Sequence, residues 1–344
     1  MRKKWTFCVL LFMISFPAAR AQTPDHDTAY YRTYRDQVTT RAYLSRKYTV
    51  LRFDPPGESP KFVYNPNTSL NLGIGATYHA FTLNIGIGIS KFNPGEIKGK
   101  TRYLDLQGHF YARKWNIDVL GEFYRGYYLT PKGLAAPPGE SYYTRRDLGL
   151  GLLGLAFYRS LNDRRFSYQA GLLQNEWQKK SAGSVLVGGE IYYGSVHADS
   201  TLVPAELDSG YGKQNINRVH FFEIGPGIGY AYTLVIGQHF YALASVTVNL
   251  ALRFSTEYSD PRGRYRSKTD FTPNDIIHAG LGYNTAKWGL TALWVSDRLN
   301  VRGGSSGYQY GVATGNYRLI FARRFKVNRK VKKVLAPIPD IIGK

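Results

Sequence analysis

An all-β fold, a transmembrane antiparallel β-barrel, is what this 344-residue sequence predicts, on three observations. Apolar residues alternate with polar or small ones, as in Phe81, Leu83, Ile85, Ile87 and Ile89 against Thr82, Asn84, Gly86, Gly88 and Ser90. That period of two marks a strand with unlike faces. The strand-like runs are long, at residues 148–158, 166–177, 221–233, 240–253 and 310–325; strands in soluble proteins average about 5 to 6 residues, whereas crossing a bilayer takes about 9 to 11. Aromatic residues gather at run ends, with Tyr124, Tyr127 and Tyr128, then Tyr142 and Tyr143, then Tyr192 and Tyr193, where interfacial girdles lie. The 36 Gly, 28 Tyr and 18 Phe suit β-structure with many turns. No stretch reaches the ~20 apolar residues of a membrane helix. A soluble sandwich or propeller is the competing reading, because alternation alone does not say whether the apolar face meets a second sheet or lipid.

In chain order, residues 1–21 have the form of an export leader: Met1-Arg2-Lys3-Lys4, an apolar stretch from Trp5 to Phe16, and Ala19-Arg20-Ala21 before the expected cleavage. The only cysteine, Cys8, lies within that leader, so the mature chain has no thiol and fits a bacterial envelope protein. Losing Arg2, Lys3, Lys4 and Arg20 leaves a net charge of +17. Residues 22–47 are polar without alternation and read as a periplasmic lead-in. Residues 48–325 are the expected barrel, with about 12 strands in a range of 10–14. Short connections at 162–164 and 284–286 are expected periplasmic turns; 127–144, 198–215 and 255–275 are expected outer loops. Long and short connections fail to alternate around 183–197, which points to one strand miscounted there or to an extra first strand at 48–53. Residues 326–344 form a basic tail with Lys330, Lys332 and Lys333.

Charged residues fall on one face of two adjacent strands, and they are the candidate site. Asp105, His109 and Arg113 share a parity opposite Leu104, Leu106 and Phe110; after a turn at Lys114, Asp118 and Glu122 share a parity opposite Ile117, Val119 and Phe123. Arg125 has the other parity. In a barrel this face looks into the lumen, where charges must be paired or wetted. The cluster therefore reads either as an ion-pair plug or as a constriction or solute site.

Other patterns carry less. Gly225-Pro226-Gly227-Ile228-Gly229 lacks the following helix that a dinucleotide loop needs. The seven histidines show no metal-ligand spacing, so neither a metal site nor any cofactor is expected. No Gly-x-Ser-x-Gly occurs, and Ser195 with His197 is the nearest approach to a nucleophile and base. Arg145-Arg146, Lys179-Lys180, Arg262, Arg264, Arg266 and Lys268 suit lipopolysaccharide phosphates better than nucleic acid. Asp27-Thr28-Ala29 and Asp199-Ser200-Thr201 fit a short bacterial O-glycosylation pattern.

The segments 99–107, 124–129, 178–184 and 229–233 resemble an uncharacterised outer-membrane barrel family of Bacteroidetes-type bacteria, domain of unknown function 4421, over about residues 30–325; 178–184 is the most specific part. The resemblance implies an outer-membrane barrel and no assigned activity. The alternating end of the chain, Tyr317-x-Leu319-x-Phe321 to Phe325, resembles the strand by which barrels reach the outer-membrane assembly machinery. The expected function is a small-solute channel or an envelope structural barrel, not an enzyme. The alternatives are an outer-membrane lipid-modifying enzyme and a barrel that holds a partner by its loops.

Overall fold

The computed structural model describes residues 25–34, 36–54, 60–78, 81–89, 95–207, 215–259, 263–303 and 308–327; the expected leader, 1–21, and all but the first two residues of the expected basic tail, 326–344, lie outside them. In chain order the elements are β1 (Tyr31–Thr33), β2 (Gln37–Asp54), β3 (Phe62–Asn65), β4 (Leu70–Tyr78), β5 (Phe81–Ile89), β6 (Arg102–Tyr111), β7 (Trp115–Thr130), β8 (Thr144–Ser160), helix α1 (Tyr168–Leu172), β9 (Glu176–Gln178), β10 (Ala182–His197), β11 (Ile216–Ile236), β12 (Phe240–Ser259), β13 (Arg264–Asn284), β14 (Trp288–Arg302) and β15 (Gln309–Lys326).

Ten strands close a ring. From β2 the antiparallel order runs β15, β14, β13, β12, β11, β10, β8, β7 and β3, and returns to β2. The ring shuts between its first and last long strands, from Gln309↔Asp54 to Lys326↔Gln37. The start of β2 and the end of β15 therefore lie together, at what we term the termini end; residues 131–143 and 198–207 lie at the opposite, loop end. Three strands stand outside the closed ring. β4 pairs with the first half of β2, β5 pairs with β4, and β6 pairs with β7. β3 bonds to Leu51–Phe53 and to Tyr128–Thr130, so it bridges β2 and β7 only near the loop end. Below it the wall forks, and among the described residues no ladder joins β5 to β6. The expected count of about 12 falls between the ten strands of the closed ring and the thirteen of the whole sheet.

The exterior is apolar and much of the interior polar. On β12, Phe240, Val246, Val248, Leu250 and Phe254 are exposed, whereas Ser245, Thr247, Asn249 and Arg253 are buried. This inverts the arrangement of a soluble protein and is that of a membrane-spanning barrel. From Phe240 to Phe254 the outward face rises roughly 36 Å at ~3.4 Å per residue and ~40° tilt, enough to cover a ~25 Å hydrocarbon band. Aromatic rings mark both rims. At the termini end Tyr283 contacts Phe240 and Trp288 with centroids 4.8 and 5.2 Å apart, and Trp177 stacks on His239 at 5.2 Å. At the loop end His220 lies against Tyr258 at 5.4 Å.

Four expectations change. The first barrel strand begins at Gln37, not 48, because Arg41, Tyr43, Ser45 and Lys47 point inward while Ala42, Leu44 and Arg46 point outward; charge on both faces hides the alternation. The run 166–177 is not a strand: it carries α1 and β9 inside the barrel. Residues 162–164 open that inward excursion instead of turning directly into the next strand. The span 255–275 is mostly strand, since β12 runs to Ser259 and β13 starts at Arg264. Dropping 166–177 and adding β2 changes the strand tally, but length does not mark the side of a connection: the plug-bearing 161–181 at the termini end is long, whereas β12 and β13 at the loop end are joined by only 260–263.

Candidate functional site: a lumen filled from both ends

The termini end of the lumen is stoppered by the chain itself. Ser167 caps α1, accepting from the Ala170 amide at 3.0 Å, and all five helix residues are buried. So short a helix has little stability of its own and stands by its packing. β9 pairs with β1, Tyr31↔Gln178 to Thr33↔Glu176, which docks the lead-in against the inward excursion. Gln178 staples the two turns: its Oε1 accepts from the Ser167 amide at 2.9 Å and its Nε2 donates to Arg165 O at 2.7 Å and Lys180 O at 3.0 Å. Burial pushes the Tyr31 hydroxyl well above its ordinary value, and that hydroxyl donates to Asp163 O at 2.8 Å.

Two wall arginines hold this plug. Arg324 of β15 donates to the carbonyls of Gln174 and Glu176 on the plug side, and to Asn284 Oδ1 (2.9 Å) and Thr285 O (2.5 Å) on the wall side. Its guanidinium also lies 4.5 Å from the Tyr34 ring centroid. Arg41 of β2 donates to Leu173 O and Thr77 Oγ1, both at 2.7 Å. The fit is close: a Cβ on Gly171 would come within 2.7 Å of Leu243.

An apolar cluster fills the loop end. Phe53, Phe62, Tyr64 and Tyr310 pack ring to ring, and residues from the 198–207 stretch join them, with Leu202 1% and Val203 3% exposed. Tyr64 donates to Leu202 O at 2.9 Å. Arg145, bidentate on Asp147 at 2.8 and 2.7 Å, donates to Thr201 O at 2.7 Å.

Between these stoppers lies the polar belt that holds most of the expected cluster. The structure divides it into separate units. Asp105 takes Lys47 at 2.5 Å and the Tyr124 hydroxyl at 2.6 Å. Glu122, opposite Asp105 in the β6–β7 register, accepts from Thr49 (2.6 Å), Thr314 (2.7 Å) and Gln107 (3.2 Å). His109 Nδ1 lies 2.6 Å from Asp118 Oδ1, which also accepts from Tyr111 at 2.6 Å. Arg113 departs from the expectation. It lies in the turn after β6 and meets the plug, 3.0 Å from Asp163 and 3.7 Å from Asp25, because the strand ends before its parity applies. Arg125 is exposed at the bulge before Tyr127, as its parity implies.

Sequence reading missed the rest of the belt. Asn274 donates to Glu190 at 2.6 Å and Glu223 at 2.9 Å, Tyr192 donates to Asp297 at 3.2 Å, and Tyr168 of α1 meets His278 at 2.7 Å. Apart from Tyr168 of α1, each residue has the inward parity of its strand, but only the register of several strands brings them together. Ser195 and His197 sit on the outward face, and among the described residues no hydrogen bond joins them; the His197 ring lies against Gly149 instead. Arg145 is taken up by Asp147 and is not free for lipid. Among the described residues no group of three or more His, Cys, Asp or Glu could hold a metal ion. Of the basic positions, Arg262 lies outside the described residues.

The chain is similar to several solved structures at low identity. The outer membrane protease OmpT of Escherichia coli is 8% identical with a TM-score of 0.41, over 85% of this chain and 98% of that one. The β domain of the Bordetella autotransporter BrkA is 9% identical with a TM-score of 0.36, over 84% and 100%. The translocator domain of the autotransporter NalP from Neisseria meningitidis is 10% identical with a TM-score of 0.34, over 84% and 88%. No curated protein sequence matches the chain. A family model does match, over residues 25–325 and thus from the plug through the last strand, and the chain belongs to that family, the domain of unknown function DUF4421.

Proposed function

We propose that this is an outer-membrane barrel that works as a closed envelope barrel and not as an open small-solute channel. The outward apolar faces, the aromatic rims and the expected export leader support that location. One observation carries the closed reading: both mouths of the lumen are filled by the protein's own buried side chains and backbone, docked through Arg324 and Arg41 at one end and through Leu202 and Val203 at the other. The Asp105, Glu122 and Asp118 units then brace the interior, since each carboxylate has donors from other positions in the wall. The outward Tyr317, Leu319, Phe321 and Phe325 of the closing strand suit recognition by the outer-membrane assembly machinery. Exposed bases such as Arg125 and Arg146 are the candidates for lipopolysaccharide phosphates.

Osmotic swelling of proteoliposomes in glycine and in arabinose tests this reading, with folding checked by heat-modifiable migration. The expected rate is that of protein-free liposomes. Faster swelling by the folded wild type would overturn the closed reading.

A further inference from the structure

The gap between β5 and β6 is a stretch of the described wall that the barrel's own ladders leave open, and it lies at the height of the apolar belt. Ile85 on β5 and Leu104 and Leu106 on β6 are 60%, 54% and 58% exposed. Unpaired strand edges facing hydrocarbon cost several kcal/mol per unsatisfied backbone group. The extent of the gap is nonetheless well defined. Its upper limit is fixed: β3 bridges the wall, Asn67 donates to Thr101 Oγ1 (2.7 Å) and Gly99 O (2.7 Å), and Thr101 donates to Gly126 O at 2.6 Å. Gly126 has φ +91°, and a Cβ there would lie 2.3 Å from Lys100 O, so the bulge that ends the gap requires glycine.

A cavity of about 690 Å³ occupies the gap. It is lined by both faces of β6, the outward Leu104 and Leu106 and the inward Asp105 and Gln107, which a cavity can touch together only past a free strand edge. It is apolar toward the membrane and polar within. At its inner side is Arg318 of β15. Its guanidinium makes no hydrogen bond or ion pair among the described residues, its Nε is buried without a partner, and it rests 5.0 Å from the Tyr43 ring centroid. The Oδ1 of Asn84, also lining the cavity, is likewise buried without a partner. The adjacent Asp105 is already neutralised by Lys47, so a second anion brought to Arg318 meets little repulsion.

We propose that this gap is a lateral portal and binding site for a single-chain anionic amphiphile, whose acyl chain lies against Ile85, Leu104 and Leu106 and whose carboxylate or phosphate head meets Arg318. The cavity volume is that of an ordinary ligand pocket, which suits one chain better than a whole multi-chain lipid. Because the gap opens beside the outward Ile85, Leu104 and Leu106, the ligand enters and leaves by the membrane side. The inference rests on the barrel crossing a bilayer but not on its pore being shut, so swelling and amphiphile binding succeed or fail separately.

The test is binding of pyrene-labelled hexadecanoate to the folded protein in phosphatidylcholine nanodiscs. Saturable binding is expected, with affinity at least tenfold lower in Arg318→Gln and largely kept in Arg318→Lys. Because the mature chain has no cysteine, an Ile85→Cys, Leu106→Cys pair bridged by a short bifunctional thiosulfonate closes the gap specifically. It should abolish binding, and reduction should restore it; this arm stands even where an Arg318 variant folds poorly. Competition by lysophosphatidic acid as well as hexadecanoate would assign the site to the anionic head in general, and competition by hexadecanoate alone would assign it to carboxylates. Binding that is non-saturable, unchanged by the bridge, equal for uncharged hexadecanol, or equal for two-chain phosphatidic acid would overturn the proposal.

Discussion

Replacing Arg324 by Met keeps most of the side chain's apolar bulk but removes every donor, and it isolates what holds the plug. Two of the lost acceptors, Gln174 O and Glu176 O, belong to the plug; the other two, Asn284 Oδ1 and Thr285 O, belong to the wall. A buried hydrogen bond is worth about 1 to 1.5 kcal/mol net, part of the larger value for a charged donor being offset by relieving the cost of burying the guanidinium. Docking should therefore weaken by about 2 to 3 kcal/mol, or roughly 30- to 150-fold in the docked-to-undocked ratio. Hydrogen exchange reads this directly. The Leu173 amide bonded to Gln169 O and the Lys179 amide bonded to Tyr30 O depend on docking, whereas the β11–β12 ladder around Tyr232↔Ala244 does not. The plug amides should exchange faster by that factor while the ladder holds its protection. Unchanged plug protection, or an equal rise throughout the barrel, would refute the assignment of Arg324 as the plug's anchor.

Three further outcomes follow from the same contacts. Gly171→Val should cost about 1 to 3 kcal/mol by overpacking against Leu243, which a Cβ would approach to 2.7 Å, seen as a lower temperature of heat-modifiable unfolding. Glu122→Ala strips an acceptor from Thr49, Thr314 and Gln107 and should lower the urea midpoint of the reconstituted barrel by about 2 kcal/mol equivalent, more than Glu122→Gln, which keeps an oxygen to accept; equal losses would deny that these bonds matter. Tyr64→Phe removes the hydroxyl held by Leu202 O and should cost about 1 kcal/mol, read as faster protease cleavage within 198–207 with the rest of the barrel intact.

What the sequence shows well is whatever depends on one strand at a time. β12 alternates along most of its length and β8, β11 and β15 over long stretches, and the expected runs 148–158, 221–233, 240–253 and 310–325 fall within the observed strands. The β6–β7 hairpin is equally readable, since a short turn fixes its register and sets His109 opposite Asp118. The plug is illegible for a physical reason: α1 is surrounded by lumen on every side, so Tyr168, Gln169, Ala170, Gly171 and Leu172 are all buried and no periodic face is left to detect. Arg113 misleads because it stands two residues past the end of β6, where strand parity no longer applies. The Glu190, Asn274 and Glu223 group spans three strands, and the bridge made by β3 needs β2 and β7 together; neither can be reached from local pattern. The 178–184 segment singled out in the sequence begins at the residue whose side chain staples the plug.

The central claim is that the chain's own plug and loop-end cluster close the lumen, and single-channel current across a planar bilayer tests it most directly. Folded wild-type protein extracted from outer membranes should be silent in high salt, and so should the doubly altered Arg324→Met, Arg41→Met protein, because the loop-end cluster still fills its mouth; discrete steps should appear only when those changes are combined with Leu202→Ser and Val203→Ser, which loosen that cluster. Discrete steps from the wild type, altered by Asp105→Ala with Glu122→Ala, would contradict the account and make the polar belt the constriction of an open pore.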